Sequence, residues 1–317
     1  LNTIGCENFD DALPCSMTAH PKLCPITGEL LAFSYFSFEQ PFLHYIRVGT
    51  DGKVKQLEGI ELPEMVMMHD FNITENYVIF MDLPLALDLD LLASGIPFRF
   101  KRENQARLGV MPRTGSAKDI RWFEINPCYV FHQVNAWEQG DVITLFVSKQ
   151  DSAFGADSGD FSEVSRLHRW QINLATGQVS EEKVDDRPGD FGRVNDNFVG
   201  QPSQFGYLMA LEGEGNSEEP IYGPKLYQYD LYNGQCKEHF LGDGTRGAEP
   251  VYAPVPGSDA ENDGWVMCLV HNETNNKSKL LIIDADDFSA APVASIELPY
   301  AVPYGAHGNW ITDQQLR

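Results

Sequence analysis

A repeated unit of strand, tight turn and strand constrains this chain more than any other feature. Phe42-Leu43-His44-Tyr45-Ile46-Arg47-Val48 is a β-prone apolar run, Gly49-Thr50-Asp51-Gly52 follows it, and Lys53-Val54 resumes the extended pattern. Asp-Gly between two such runs is the signature of a hairpin turn, because glycine adopts the positive φ that the turn needs. The unit recurs at Leu167 to Leu174 with Ala175-Thr176-Gly177, and at Lys225 to Leu231 with Tyr232-Asn233-Gly234. A weaker copy, Lys279 to Ile283 with Asp284-Ala285-Asp286-Asp287, leads into Val293 to Leu298. The last three turns are about 55 residues apart. An all-β chain with a period of that size fits the blades of a β-propeller, although a β-sandwich has similar short strands. Leu85 to Leu92 is the strongest helical segment and reads as an excursion above a sheet. Polar stretches at 151–160, 212–219 and 257–264 read as surface loops. Nothing in the composition marks a linker, so residues 1–317 are expected to form one catalytic domain.

Hydrophobic residues make up 43% of the chain, enough for a large core, and the formal net charge is −23. Such a surface repels a phosphate backbone, which excludes nucleic acid as a natural partner. No stretch of about 18 apolar residues exists to span a membrane. Leu83 to Phe100 comes nearest but carries Asp88, Asp90 and Arg99, so peripheral membrane contact is the most it offers. The chain begins at Leu1 without a signal peptide, and its start is expected to be missing. Six cysteines, at 6, 15, 24, 128, 236 and 268, form no CxxC pair, which fits reduced thiols in the cytoplasm.

Of eight histidines, His168, His239 and His271 sit beside polar or charged residues and His44 lies within the first strand-like run, so these four read as ordinary strand or surface residues. The other four are embedded in apolar or small-residue runs: His20 in Met17-Thr18-Ala19-His20-Pro21-Lys22, His69 in Met65-Val66-Met67-Met68-His69-Asp70-Phe71, His132 in Tyr129-Val130-Phe131-His132-Gln133-Val134, and His307 in Tyr304-Gly305-Ala306-His307-Gly308-Asn309-Trp310. A buried imidazole needs a partner. The intervals from His20 to His69 and from His69 to His132 are each near one blade. Residues at one place on successive innermost strands point at a propeller axis, where several imidazoles would meet a single metal. Imidazole suits iron, copper, zinc and nickel alike, so the residues alone leave the ion open.

The residues around these histidines resemble the motifs of the carotenoid cleavage oxygenases. Thr18-Ala19-His20-Pro21-Lys22 running on to Pro25-Ile26-Thr27-Gly28-Glu29-Leu30 is similar to the first, and Met68-His69-Asp70-Phe71-Asn72-Ile73-Thr74-Glu75-Asn76-Tyr77 to the second. Phe131-His132 with Asn135-Ala136-Trp137-Glu138 is similar to the third, and Pro303-Tyr304-Gly305 with His307-Gly308-Asn309-Trp310 to the fourth. Arg107-Leu108-Gly109-Val110 and Pro112-Arg113 fit as well. The resemblance runs in order over nearly the whole chain.

It implies a seven-bladed β-propeller with Fe(II) on its axis, held by His20, His69, His132 and His307. It also implies O2-dependent cleavage of a conjugated double bond in a carotenoid or apocarotenoid, without an organic cofactor. Family chains run longer, mostly ahead of the first histidine, so this chain is expected to lack the opening blade or blades. Three glutamates orient the histidines in the family. Glu249 matches one, Asp190 falls at a second with an arm one methylene shorter that would reach through a water, and the third falls before residue 1. Glu138 is expected to play no such part. Cys24 replaces an Asp of the first motif, a change expected to weaken a turn contact, and Ala306 replaces a bulky aromatic. Phe71, Phe131, Trp137 and Tyr304 flank the ligands and are candidates to line an apolar substrate tunnel. Three other readings stay open: stilbene cleavage, an isomerase of the retinoid type, and an inactive propeller. The family's stilbene enzymes recognise the substrate phenol with upstream residues that this chain does not contain.

Overall fold

A computed structural model describes residues 2, 3, 5–13, 16–35, 37–154, 163–212, 221–303, 307–313 and 315. They form five antiparallel sheets in succession, the first four of four strands each, with one strand shared between the third and the fourth. The first is β1 (Lys22–Leu23), β2 (Leu30–Ser34), β3 (Leu43–Val48) and β4 (Val54–Ile60). The second begins with β5 (Asn72–Ile73) and β6 (Tyr77–Asp82), is interrupted by a hairpin of β7 (Leu85–Leu87) and β8 (Phe98–Phe100), and resumes with β9 (Ala106–Pro112) and β10 (Arg121–Ile125). The third is β11 (Tyr129–Gln139), β12 (Val142–Gln150), β13 (Arg166–Asn173) and β14 (Val179–Arg193). The far end of β14 opens the fourth, with β15 (Phe205–Glu212), β16 (Ile221–Asp230) and β17 (Cys236–Phe240). In the fifth, β18 (Thr245–Arg246) and β19 (Val251–Pro254) both pair with β20 (Gly264–Asn272), followed by β21 (Lys277–Asp284) and β22 (Ala294–Glu297).

The core decides between sandwich and propeller. Phe33 and Tyr45 of the first sheet pack on Val78 and Phe80 of the second. Ile79 and Met81, on the opposite face of the same strand, pack on Leu145 and Trp170 of the third. Phe146 and Leu167 then meet Leu208 and Tyr227 of the fourth, and Tyr207 and Met209 meet Val266 and Leu281 of the fifth. Inner sheets are therefore buried on both faces by successive neighbours, the packing of propeller blades. It also explains near-continuous apolar runs such as Tyr77-Val78-Ile79-Phe80-Met81, whose alternate residues serve different cores.

The four turns read from the sequence all occupy one place in the blade. They join the third strand to the fourth in the first, third, fourth and fifth sheets. Gly52, Gly177 and Gly234 supply positive φ there. In the second sheet that connection holds a short 3-10 helix (Ala117–Asp119) instead. This is why the spacing from residue 51 to 176 is roughly doubled. The helix expected over Leu85 to Leu92 divides into β7 and a 3-10 helix (Leu89–Ser94). Pairing of β7 with β8 takes the backbone of 85–87, while Asp88 caps the 3-10 turn and Gly95 ends it at φ 90°. Among the described residues no helix is long and apolar enough to cross a membrane. The 257–264 loop appears as turns around Gly257, whereas most of 151–160 and 212–219 lies outside the described residues.

Candidate metal centre

The innermost strands bring the site together. His20 lies two residues before β1, His69 three before β5, and His132 within β11. These are equivalent rims of the first three sheets, as the spacing anticipates. Asp190 on β14 and Glu249 just before β19 occupy the same rim in the fourth and fifth. His307 arrives differently, on the segment that follows β22.

The ligand nitrogens of the four histidines lie within 4.8 Å of one another. Nε2 of His20 is 3.1 Å from Nε2 of His69, which is 3.2 Å from Nε2 of His132. Imidazoles on a common metal at about 2.1 Å would place adjacent nitrogens about 3.0 Å apart in an octahedron. The ring centroids distinguish the geometries further. Five pairs are separated by 4.4 to 5.2 Å, while His69 and His307 are 6.1 Å apart. A tetrahedron has six equal edges and a square four short and two long. Five short and one long are four corners of an octahedron, with His69 opposite His307 and two adjacent corners free. The donor set thus fits a divalent metal with two open positions.

Carboxylates fix the rings. Nδ1 of His132 donates to Oδ1 of Asp190 at 3.0 Å, which leaves its Nε2 lone pair facing the hub. No bridging water is needed for this shorter arm: β14 bulges between Asp190 and Arg193 and carries the carboxylate to the ring. Oδ2 of Asp190 accepts from the Ser165 hydroxyl at 3.0 Å. Gly192 permits this approach, since a Cβ there would meet Val134 Cγ2 at 2.7 Å and the Gln133 carbonyl oxygen at 2.8 Å. Nδ1 of His307 faces Oε1 of Glu249 at 3.4 Å, and Oε2 accepts the Gly308 N–H at 2.9 Å. Burial pushes His20 down to about 4 and His69 to about 3, so both rings are neutral at ordinary pH. For His132 burial acts in the same direction and is the largest single influence, but the Asp190, Asp70 and Glu249 carboxylates together outweigh it and the net shift is upward.

Sequence reasoning missed two features. Asp70 is 3% exposed and ties three ligand segments together. Its carboxylate meets Lys22 Nζ at 2.6 Å and accepts the Phe71 N–H at 2.8 Å and the Gln133 N–H at 3.2 Å. Both residues stand inside the motifs, but nothing local pairs them. Phe191 is the second: at φ 58° its ring stacks on His132 at 4.6 Å and lies 5.6 Å from His307. Its place beside Asp190 was the available signal.

The proposed tunnel residues separate. Phe131 packs edge-on against His69 at 5.6 Å and against Tyr129 and Phe154, which makes one side of the centre aromatic. Phe71 is instead a core residue, fully buried against Phe33 and Phe80. Trp137 is also core: it stacks on Phe146 and lies five residues along β11 from His132, about 17 Å at strand rise. Tyr304 and Ala306 lie outside the described residues. Glu138 serves the second motif rather than a histidine, accepting from the Thr74 hydroxyl at 2.5 Å and from Asn76. The Cys24 turn persists. Its thiol accepts from Arg113 Nη1 at 3.0 Å, and its backbone bonds Glu29 and Gly28. A cavity of about 610 Å³ opens on the other side of the centre, walled by His20, His132, His307, Lys22, Arg193 and Asp196 among others.

Comparison with known proteins agrees with this geometry. The family model described as retinal pigment epithelial membrane protein matches residues 1–312. The carotenoid 9,10(9′,10′)-cleavage dioxygenase 1 of Pisum sativum is 37% identical over 341 residues, covering 100% of this chain and 62% of that protein. A carotenoid cleavage oxygenase of Mycobacterium tuberculosis is 33% identical, covering 98% of this chain and 71% of that one. Among solved structures, the lignostilbene dioxygenase of Pseudomonas brassicacearum superposes with a TM-score of 0.88 at 29% identity, over 98% of this chain and 69% of that one. Cobalt-substituted Synechocystis ACO gives 0.85 at 25% identity, over 97% of this chain and 68% of that one. The chain thus spans about 62% of the length of the pea relative. With five propeller blades, four histidines meeting at their hub and a family match along almost its whole length, the chain belongs to the carotenoid cleavage oxygenase family.

Proposed function

We propose that the protein is a non-haem iron dioxygenase that cleaves a conjugated carbon–carbon double bond of a carotenoid or apocarotenoid, with His20, His69, His132 and His307 as ligands of Fe(II). The observation that carries this reading is the ring arrangement with five short separations and one long, which would leave a metal held by these four rings two adjacent coordination positions. Bound Fe(II) supplies the redox chemistry by which O2, otherwise unreactive toward closed-shell alkenes, is activated. The side chains do the rest. Asp190 and Glu249 orient His132 and His307. Burial keeps His20 and His69 unprotonated, so their lone pairs are available. Phe131, Tyr129 and Phe154 form an apolar wall that suits a rigid polyene and excludes water. One double bond and one O2 become two carbonyl groups, so no further reductant is required.

The sequence relatives named for carotenoid cleavage support the polyene substrate. The lignostilbene dioxygenase, at a TM-score of 0.88, supports stilbene cleavage as the second reading. Leu89 and Leu92, 63% and 59% exposed on the 3-10 turn, support peripheral contact with a membrane that stores such substrates. The five cysteines among the described residues are free thiols, which supports a cytoplasmic setting that cell fractionation checks.

The test is a panel of apocarotenals and hydroxystilbenes offered to full-length, Fe(II)-loaded protein under isotopically labelled O2, with products identified by mass. Two carbonyl products from an apocarotenal, each carrying one labelled oxygen, are expected. Turnover of hydroxystilbenes alone selects the second reading. Unlabelled, isomerised product would mean retinoid-isomerase chemistry, and no turnover by metal-loaded protein would mean an inactive propeller.

A further inference from the structure

Three of the four histidines are held by the sheets. His132 is part of β11. The backbone before His69 is pinned to the β7 strand by Met67 N–H to the Leu85 carbonyl and Leu87 N–H to the Met65 carbonyl, both 2.8 Å. His20 lies two residues from β1, and its N–H reaches the Thr18 hydroxyl at 3.1 Å. His307 has no such support among the described residues. It stands beyond β22, outside any strand, and its side chain is 29% exposed. Ordering a segment of that kind costs conformational entropy that specific contacts must offset.

Arg193 makes those contacts. Its Nη1 donates to the Gly308 carbonyl oxygen and its Nη2 to Asn309 Oδ1, each at 3.2 Å. Nη1 also lies 3.4 Å from Oε1 of Glu249, the same oxygen that faces Nδ1 of His307 at 3.4 Å. The guanidinium therefore grips the two residues after His307 and the carboxylate that orients its ring. A planar fork suits such a task, whereas an ammonium supplies one point charge. Its anchor is firm: Arg193 ends β14, pairs with Tyr207, and stands three residues from Asp190, which orients His132. One strand end thus governs the rings of both His132 and His307.

We propose that Arg193 is a positioning residue that latches the His307 segment onto the metal centre, so that metal retention depends on it although it is not a ligand. The inference rests on the four-histidine reading. Full-length protein is compared as wild type, Arg193→Ala, Arg193→Lys, His307→Ala and the double variant Arg193→Ala/His307→Ala. Co(II) affinity is read by chelator competition, dissociation is read after excess chelator, and melting of the metal-free forms reports folding.

Arg193→Ala is expected to weaken Co(II) binding by about tenfold or more, the range for residues that orient ligands. Its metal-free melting should stay near that of wild type, and Arg193→Lys should lie between the two. A residue acting through His307 adds nothing once His307 is gone, so the double variant should bind like His307→Ala alone. Equal affinity and dissociation in wild type and Arg193→Ala overturn the latch while leaving the metal centre standing. So does an undiminished Arg193→Ala effect in the His307→Ala background, which would mark general destabilisation. Wild type that binds no Co(II) overturns the metal centre itself, and the latch with it.

Discussion

Replacing Asp70 with Asn is the sharpest test of how the hub is assembled. The carboxylate is buried, and burial alone would raise its pKa, yet the Lys22 ammonium and neighbouring groups bring it down to about 2 from the ordinary 3.8. At about 1.36 kcal/mol per pH unit, that difference corresponds to about 2 kcal/mol of folding stability at neutral pH. Removing one partner of a buried pair costs about 3 to 5 kcal/mol by a separate route, because the remaining charge stays desolvated. Lys22 is 12% exposed at its side chain and would be that charge. Asp70→Asn should therefore lower stability by about 2 to 4 kcal/mol, measured by urea unfolding of metal-free protein at pH 7. Adding Lys22→Met should recover part of the loss, since no charge is then stranded. The sign with pH follows from the same shift. The unfolded chain takes up the proton first, so the contribution is present above about pH 4 and disappears toward pH 2. A loss below about 0.5 kcal/mol, the range of ordinary surface substitutions, would refute the clamp.

Asp190→Asn should reduce Co(II) affinity by about 10- to 100-fold with little change in fold, read by chelator competition, because the amide no longer dictates which ring nitrogen of His132 faces the hub. At Phe191, φ 58° favours glycine, so Phe191→Gly should be more stable than Phe191→Ala by about 1 kcal/mol in urea unfolding, while both weaken metal binding through loss of the ring on His132. Metal-free protein should lose stability as pH falls from 6.5 toward 4, seen as a falling melting temperature. His20 and His69 are held low by burial, so the unfolded chain binds protons before the folded one, and His132, shifted upward by the carboxylates of Asp190, Asp70 and Glu249, offsets part of this. Phe131→Ala should alter turnover of long polyenes, whereas Trp137→Phe should leave the product profile unchanged, as its place in the core requires.

Much of the architecture was legible because its causes are local. Glycine turns announce themselves by the φ they permit, and Gly52, Gly177 and Gly234 stand where the sequence puts them. The second sheet escaped the repeat because a capped 3-10 helix replaces the turn. The four histidines stood out because each is set in an apolar or small-residue run that continues into a motif resembling the family's, which the run around His44 does not. The flanking aromatics were less legible. Phe71, Phe131 and Trp137 share a composition, but strand register sends two of them into the cores between blades and one to the metal centre.

Sequence alone therefore determined the element grammar, the family and the four imidazoles, since propensity, periodicity and motif are written within a few residues. Tertiary structure decided what those imidazoles can do: which pair stands opposite, and which corners stay open. Asp70 meets the Gln133 N–H across 63 residues, and Arg193 meets Asn309 across 116. Contacts of that span depend on how successive twisted sheets are set around the axis, a property of the assembled blades that no local stretch of chain carries.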